Sequence, residues 1–360
     1  MKNNKYFVKQ FFFVPPPYGG ISIYVKRLTK RLNEDGYITG AYYTKDNIDK
    51  NYKNSPLFHE FNWLNPLNFL FRFLKLIHET RNFKIVHSHF GLGGMVFFWG
   101  LSFFCKKKLV ITIHNSWSDD YYKNTSFINR FFLKQNVKRD FTWIAVSAEA
   151  RDKMEGLPVK FNKILVLPAF IKDDTQYNES EFLDKRLITF LKKKKKVILF
   201  YGHAFIQKND DVYGYMRALE MFELLLQRYT DISLIMCIVD NNEEEINKLK
   251  YFAEQKGLND NIYWQIGAIK EMNALWKNID VYIRPTSSDG DSVAMREALS
   301  LGVKVVASDV CKRPKGTYVY SFDDKVDFTQ KVFDCLNSED QTVYEVDYYY
   351  EMLSIYKNIS

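Results

Sequence analysis

Two acidic residues, Asp289 and Glu297, are separated by seven others in the stretch Asp289-Gly290-Asp291-Ser292-Val293-Ala294-Met295-Arg296-Glu297. An apolar strand, Val281–Ile283, runs into this polar loop, and a short helix opens near Ser292. Backbone N–H groups from Gly290 through Ser292 to Val293 would meet a phosphate at the positive helix end. Glu297 lies one to two turns further in. The two carboxylates would therefore reach different parts of one extended ligand. A glutamate accepting two hydrogen bonds suits the adjacent hydroxyls of a ribose. The alternative makes Asp289 a turn residue and Glu297 an exposed helix position. Against it, Glu297 sits within an apolar run, Val293-Ala294-Met295 before it and Ala298-Leu299 after it.

Three other places carry chemistry-capable residues. Gly202-His203 follows a strand, with Lys208 a few residues on. Gly202 permits close backbone approach, Lys208 is a compact cation for a diphosphate, and His203 adds a donor; a plain basic loop is the competing reading. His114 ends the apolar strand Leu109–His114, where a ring can hydrogen-bond a sugar hydroxyl or a phosphate. His87 and His89 end another strand and read as structural. No carboxylate or cysteine accompanies the three histidines at a zinc spacing, so no metal site is expected. Gly19-Gly20 follows the first strand and precedes a helix, a pattern shared by anion-binding turns and ordinary tight turns.

The elements that must hold these residues alternate between strand and helix, the pattern of parallel α/β domains. The 360 residues exceed one ordinary core and suit two domains. In the first, strands read near Phe7–Val14, Ile38–Tyr43, Lys84–Ser88, Leu109–His114, Thr142–Ser147 and Ile164–Leu167. It spans 1–170, and a polar connection follows over 171–191. The second, 192–340, has strands near Val197–Tyr201, Ile232–Val239, Asn261–Ile266, Val281–Ile283 and Val303–Ala307. A helical, aromatic tail occupies 341–360. The uncharged run Phe90–Cys105 is too short and glycine-rich to span a membrane and reads as a buried helix. Four cysteines without a C-x-x-C pair, and no convincing signal peptide, point to a reducing cytoplasmic setting. The net charge of +8 favours anionic partners. The basic residues are scattered, which argues against nucleic acid.

On these residues the chain resembles glycosyltransferase family 4. The Asp289–Glu297 spacing, Gly19-Gly20, Val86-His87-Ser88-His89, Thr112-Ile113-His114, Val146-Ser147 and Ile164-Leu165-Val166-Leu167-Pro168 match family stations in order. Gly202 and Lys208 match the donor-phosphate segment, but His203 replaces its arginine and Asp289 replaces the commoner first glutamate. The resemblance implies an α/β fold of GT-B architecture, two Rossmann-like doubly wound domains facing a central cleft. The tail helix is expected to cross back onto the first domain.

It also implies a retaining, metal-independent transfer from a nucleoside diphosphate sugar, UDP- or GDP-linked, with no cofactor. Glu297 would hold the ribose, and Lys208, His203 and the helix start would stabilise the departing diphosphate. Asp289 and His114 would orient the donor sugar, with Gly19-Gly20 near the diphosphate or the acceptor. The expected acceptor is a lipid-linked bacterial surface polysaccharide, O-antigen or capsule. Aromatic-basic stretches, Trp63–Lys75 and Phe97–Lys108, would then rest on the acidic inner face of the plasma membrane. The alternatives are a catalytically silent subunit of the same fold, an epimerase acting on sugar nucleotides, or a metal-binding use of Asp289-Gly290-Asp291.

Overall fold

The computed structural model describes residues 6–46, 50–60, 69–114, 118–173, 175, 177–193, 196–203, 211–239, 242–339, 342–344 and 347–360. The chain forms two units, residues 1–173 with 347–360, and residues 174–346.

In the first unit the strands are β1 (Tyr6–Phe13), β2 (Ile38–Tyr43), β3 (His59–Glu60), β4 (Ile85–Ser88), β5 (Lys108–Ile113), β6 (Phe141–Ala145) and β7 (Ile164–Val166). They pair in parallel, in the order β3-β2-β1-β4-β5-β6-β7. The connecting helices are α1 (Gly20–Glu34), α2 (Lys50–Lys53), α3 (Phe69–Thr80), α4 (Met95–Cys105), α5 (Ser118–Asn124), α6 (Phe127–Asn136) and α7 (Ala148–Glu155). Helical spacing puts Val25, Leu28 and Leu32 on one buried stripe of α1 against β1.

Helix α4 departs from the expected buried helix. Met95, Phe98 and Leu101 are buried, but Phe103 and Phe104 are exposed. Gly100 makes room for the Phe73 ring of α3: a Cβ there would lie 2.5 Å from Phe73 Cζ.

The second unit begins earlier than the sequence suggests. The polar connection contains α8 (Glu179–Phe182) and α9 (Lys185–Leu191), and Leu183 and Leu187 pack with Val197, Leu199 and Trp276. Leu183 and Leu187, four apart, anchor this segment, with Phe182, Ile188, Phe190 and Leu191 partly buried against the same core. The rest is β8 (Lys196–Gly202), α10 (Tyr215–Leu226), β9 (Ile232–Ile238), α11 (Glu243–Gln255), β10 (Ile262–Ile266), α12 (Asn273–Trp276), β11 (Val281–Arg284), α13 (Val293–Ser300), β12 (Lys304–Ser308), β13 (Thr317–Tyr320) and α14 (Lys325–Asn337). The sheet is parallel throughout, ordered β10-β9-β8-β11-β12-β13. Every residue of β9 is buried, as a parallel strand covered on both faces requires.

The last helix, α15 (Tyr349–Ile359), belongs to the first unit. Tyr349, Met352, Leu353 and Tyr356 enter the same core as Val8, Tyr24 and Val25. Among the described residues no helix is long and apolar enough to cross a membrane.

Candidate active site

In the second unit the chain reverses its direction of winding between β8 and β11, which are neighbours. Loops leaving two such strands part company and open a crevice at their carboxyl ends. Gly202 and His203 leave β8, and the loop from Pro285 to Ser292 leaves β11. Backbone contacts stitch the flanks together: the Ser287 N–H donates to Val212 O at 2.9 Å. Gly214 adopts φ +78°, and any Cβ there would strike the Pro285 carbonyl. The Asp211 carboxylate accepts from Gly214 N–H at 2.8 Å and from Met216 N–H at 3.3 Å, so it occupies the start of α10.

Asp289 is placed differently from the expected sugar contact. Arg284, at the end of β11, donates to both its oxygens at 2.6 and 2.8 Å. Arg313, beyond β12, donates to Oδ2 at 2.6 Å. The Gly290 N–H, expected to face a phosphate, donates to Asp289 Oδ1 at 3.0 Å. The side chain is 8 % exposed. Burial alone would raise its pKa, but Arg284 and then Arg313 outweigh burial and hold it at about 2. Arg313 also donates to Ser308 O and Oγ and to Thr286 Oγ1 at 2.7, 2.9 and 3.1 Å. Asp289 is thus the hub that ties the ends of β11 and β12 to the loop before α13.

Glu297 is buried in α13, where its Oε2 accepts from Trp276 Nε1 at 3.2 Å. Ser292 caps the helix by accepting from Met295 N–H at 3.4 Å. Val293 is the first residue of α13. Arg296 grips Asp291 through contacts of 2.7 and 3.0 Å, so that aspartate too is engaged inside the protein. Gly202 ends β8, and a Cβ on it would lie 2.5 Å from Tyr215 Oη. Packing of α10 therefore explains this glycine without a ligand. His203 is exposed. Lys208 lies outside the described residues.

In the first unit the winding reverses between β1 and β4. Gly19 caps α1 in extended backbone, and a Cβ there would meet nothing within 4 Å. Gly20 opens the helix and is exposed. His114 follows β5 and is half-buried; burial pulls its pKa down to about 3 and keeps the ring neutral. Its Nε2 lies 3.0 Å from His89 Nδ1. The structure thus joins His114 to a histidine that the sequence reads as structural. It does not bring Gly19 or Gly20 into hydrogen bonds with His114.

The sequence reading missed Arg284, Arg313, Asp211 and Trp276. Arg284 had a signal, a cation ending an otherwise apolar strand. Arg313 had none, because only folding carries it to Asp289. Among the described residues no group of three or more His, Cys, Asp and Glu side chains is placed to hold a metal ion.

Residues 18–175 match the model named Glycosyltransferase Family 4, and residues 183–316 match that named Glycosyl transferases group 1. A glycosyltransferase from Rickettsia africae ESF-5 is similar in structure, with a TM-score of 0.74 at 16% identity over 99% of each chain. Anabaena HepE, solved in complex with UDP and glucose, gives 0.69 at 12% identity over 98% of this chain and 95% of its own. WaaG, a glycosyltransferase involved in lipopolysaccharide biosynthesis, gives 0.66 at 14% identity over 98% and 99%. At these identities the likeness shows the shared fold, two Rossmann-like domains of GT-B architecture. Among curated proteins none matches the sequence.

Proposed function

The chain is a glycosyltransferase of the family 4 type, and from that premise we propose that it moves a sugar from a UDP- or GDP-sugar with retention of configuration. One observation carries the donor site: Glu297 is buried one turn inside α13, beside the β8–β11 switch point, with Trp276 aiming its carboxylate. An indole N–H fixes the direction of a carboxylate without neutralising it, so the charge remains for ribose hydroxyls. Asp289 serves this site at one remove, by holding the loop that opens α13. Lys208, His203 and the start of α13 stabilise the departing diphosphate electrostatically, with no metal required. Neutral His114 meets a hydroxyl of the donor sugar.

The acceptor we propose is a lipid-linked oligosaccharide of a bacterial surface polysaccharide, O-antigen or capsule, met at the inner face of the plasma membrane. An aromatic surface on α3, α4 and α6 supports this. Phe71, Phe103, Phe104, Phe127 and Phe131 are exposed there. Trp99 links it by ring contacts to Phe103, Phe104 and Phe132. Exposed Lys106, Lys134 and Lys138 are near in the chain. Residues 61–68, including Trp63, lie outside the described residues. Sedimentation with acidic vesicles that weakens as salt rises would support membrane docking; no sedimentation would remove it.

Calorimetric titration with UDP and with GDP, without added metal, tests the donor site. Micromolar binding of one nucleotide, weakened about 10- to 100-fold in Glu297→Gln, is expected. If neither binds, the chain is a silent subunit of this fold.

A further inference from the structure

Six polar groups in the first unit form one unbroken hydrogen-bonded line. His114 Nε2 lies 3.0 Å from His89 Nδ1, and His89 Nε2 lies 2.8 Å from Gln10 Oε1. Gln10 Nε2 donates to Tyr356 Oη at 3.2 Å. Tyr356 Oη lies 2.6 Å from His87 Nδ1, and His87 Nε2 lies 2.7 Å from Thr112 Oγ1. Gln10, His87, His89, Thr112 and Tyr356 are all buried. The line starts at Thr112 in β5, passes through His87 of β4, Tyr356 of α15 and Gln10 of β1, and ends through His89 at the half-buried ring that follows β5.

The Gln10 amide gives the line a direction. Its oxygen faces His89, so His89 Nε2 must carry the proton and donate. A neutral imidazole has one donor and one acceptor, so His89 Nδ1 is an acceptor. His114 Nε2 must then donate to it, which leaves His114 Nδ1 without a proton. At the other end the amide N–H spends itself on Tyr356, whose hydroxyl then donates to His87. The 2.6 Å separation is that of an O–H donor. Burial holds His87 and His89 well below the usual histidine range and His114 at about 3, so all three rings are neutral and the alternation is complete.

We propose that Tyr356, on the terminal helix, is a positioning residue that acts through Gln10 and His89 to fix His114 as its Nε2–H tautomer and so present Nδ1 as a hydrogen-bond acceptor. This rests on the reading of His114 as a sugar contact. An acceptor nitrogen selects a hydroxyl group on the ligand and disfavours a carboxylate or phosphate oxygen. It also makes α15 part of the transfer machinery, although no active-site motif includes it.

The chain has only six histidines, so single substitutions can assign every ring in a long-range proton–nitrogen correlation spectrum of histidine-labelled protein. Wild type should show His114 with Nδ1 unprotonated and Nε2 protonated. A protonated His114 Nδ1 would overturn the proposal before any variant is made. Tyr356→Phe keeps the ring packing and removes the hydroxyl, so Gln10 loses its reason to hold one orientation. His114 should then populate both tautomers, and kcat should fall about tenfold, the scale of one hydrogen bond, with the donor KM little changed. A lower melting temperature with an unaltered His114 spectrum would make Tyr356 merely structural. His114→Ala tests the underlying site separately: full activity there removes the sugar contact, whatever the tautomer.

Discussion

Asp289 accepts a 2.6 Å hydrogen bond from Arg313 while holding Arg284 by both oxygens. The three side chains are almost wholly buried. Removing the charge of Asp289 would leave two guanidiniums facing each other away from water. Asp289→Asn should therefore lower the unfolding free energy by about 3–5 kcal/mol, the cost of breaking a buried ion pair from one side. Urea unfolding checks it. An unchanged midpoint would mean that the arginines are not desolvated in the way the geometry indicates.

The family's commoner glutamate should not fit here. Both Asp289 oxygens are already at 2.6–2.8 Å from their arginines, so one more methylene has to push Arg284 or Arg313 outward. Asp289→Glu should cost about 1–3 kcal/mol, the usual range for overpacking. Greater stability in this variant would show that the loop can relax, and that the shorter side chain is incidental.

Glu297 tests recognition rather than folding. Glu297→Gln keeps the volume and still offers an oxygen to Trp276. Losing a charge-assisted acceptor should weaken nucleotide binding about 10- to 100-fold, from about 1.5–3 kcal/mol per bond. Trp276→Phe keeps the charge but frees its direction, and should weaken binding less. Equal affinity in wild type and Glu297→Gln would place the ribose elsewhere.

How much of this was legible depended on range. The Asp289–Glu297 spacing, the Gly19-Gly20 turn and the strand before His114 are local patterns, and local patterns survive in a sequence. Nearly all the long strands could be read for the same reason. Short β3 and β13 could not, since a two-residue or half-exposed strand exists only by pairing with a neighbour. The segment 171–191 read as a linker because its many polar residues mask the few that the core uses, Leu183 and Leu187 buried and Phe182, Ile188, Phe190 and Leu191 partly so. The role of Asp289 was hidden because Arg313 reaches it only in the fold. Tyr356 was hidden likewise, 269 residues from His87.

Buried neutral histidines make stability depend on pH. His87 and His89 are held well below the usual range by burial, and His114 lies at about 3. His59 is lowered to about 4, by burial and then by Lys9. In the unfolded chain each returns to about 6.5. Below that pH the unfolded chain takes up protons that the folded chain refuses. Stability is therefore fully present above pH 7 and is lost as pH falls, by up to about 2 kcal/mol for each of His87, His89 and His114 down to pH 5, and by less for half-exposed His59, which water screens. Asp289, at about 2, does not titrate in this window. The melting temperature should fall steadily from pH 7 to pH 5. A flat profile would mean that the rings are charged in the folded protein, which would also dissolve the tautomer argument.

Gly202 separates packing from ligand approach. A Cβ there would lie 2.5 Å from Tyr215 Oη and 2.6 Å from Cζ, closer than real Cβ contacts come. Tyr215 is buried against Phe200, with ring centroids 4.8 Å apart, so it has little room to retreat. Gly202→Ala should destabilise the second unit by about 1–3 kcal/mol. Pairing it with Tyr215→Phe removes the nearer clash and leaves the one at Cζ, so the double variant should recover part of the loss and not all of it. If Gly202→Ala instead unfolds like wild type but no longer binds nucleotide, the glycine serves the ligand. In that case Tyr215 moves more easily than its packing suggests.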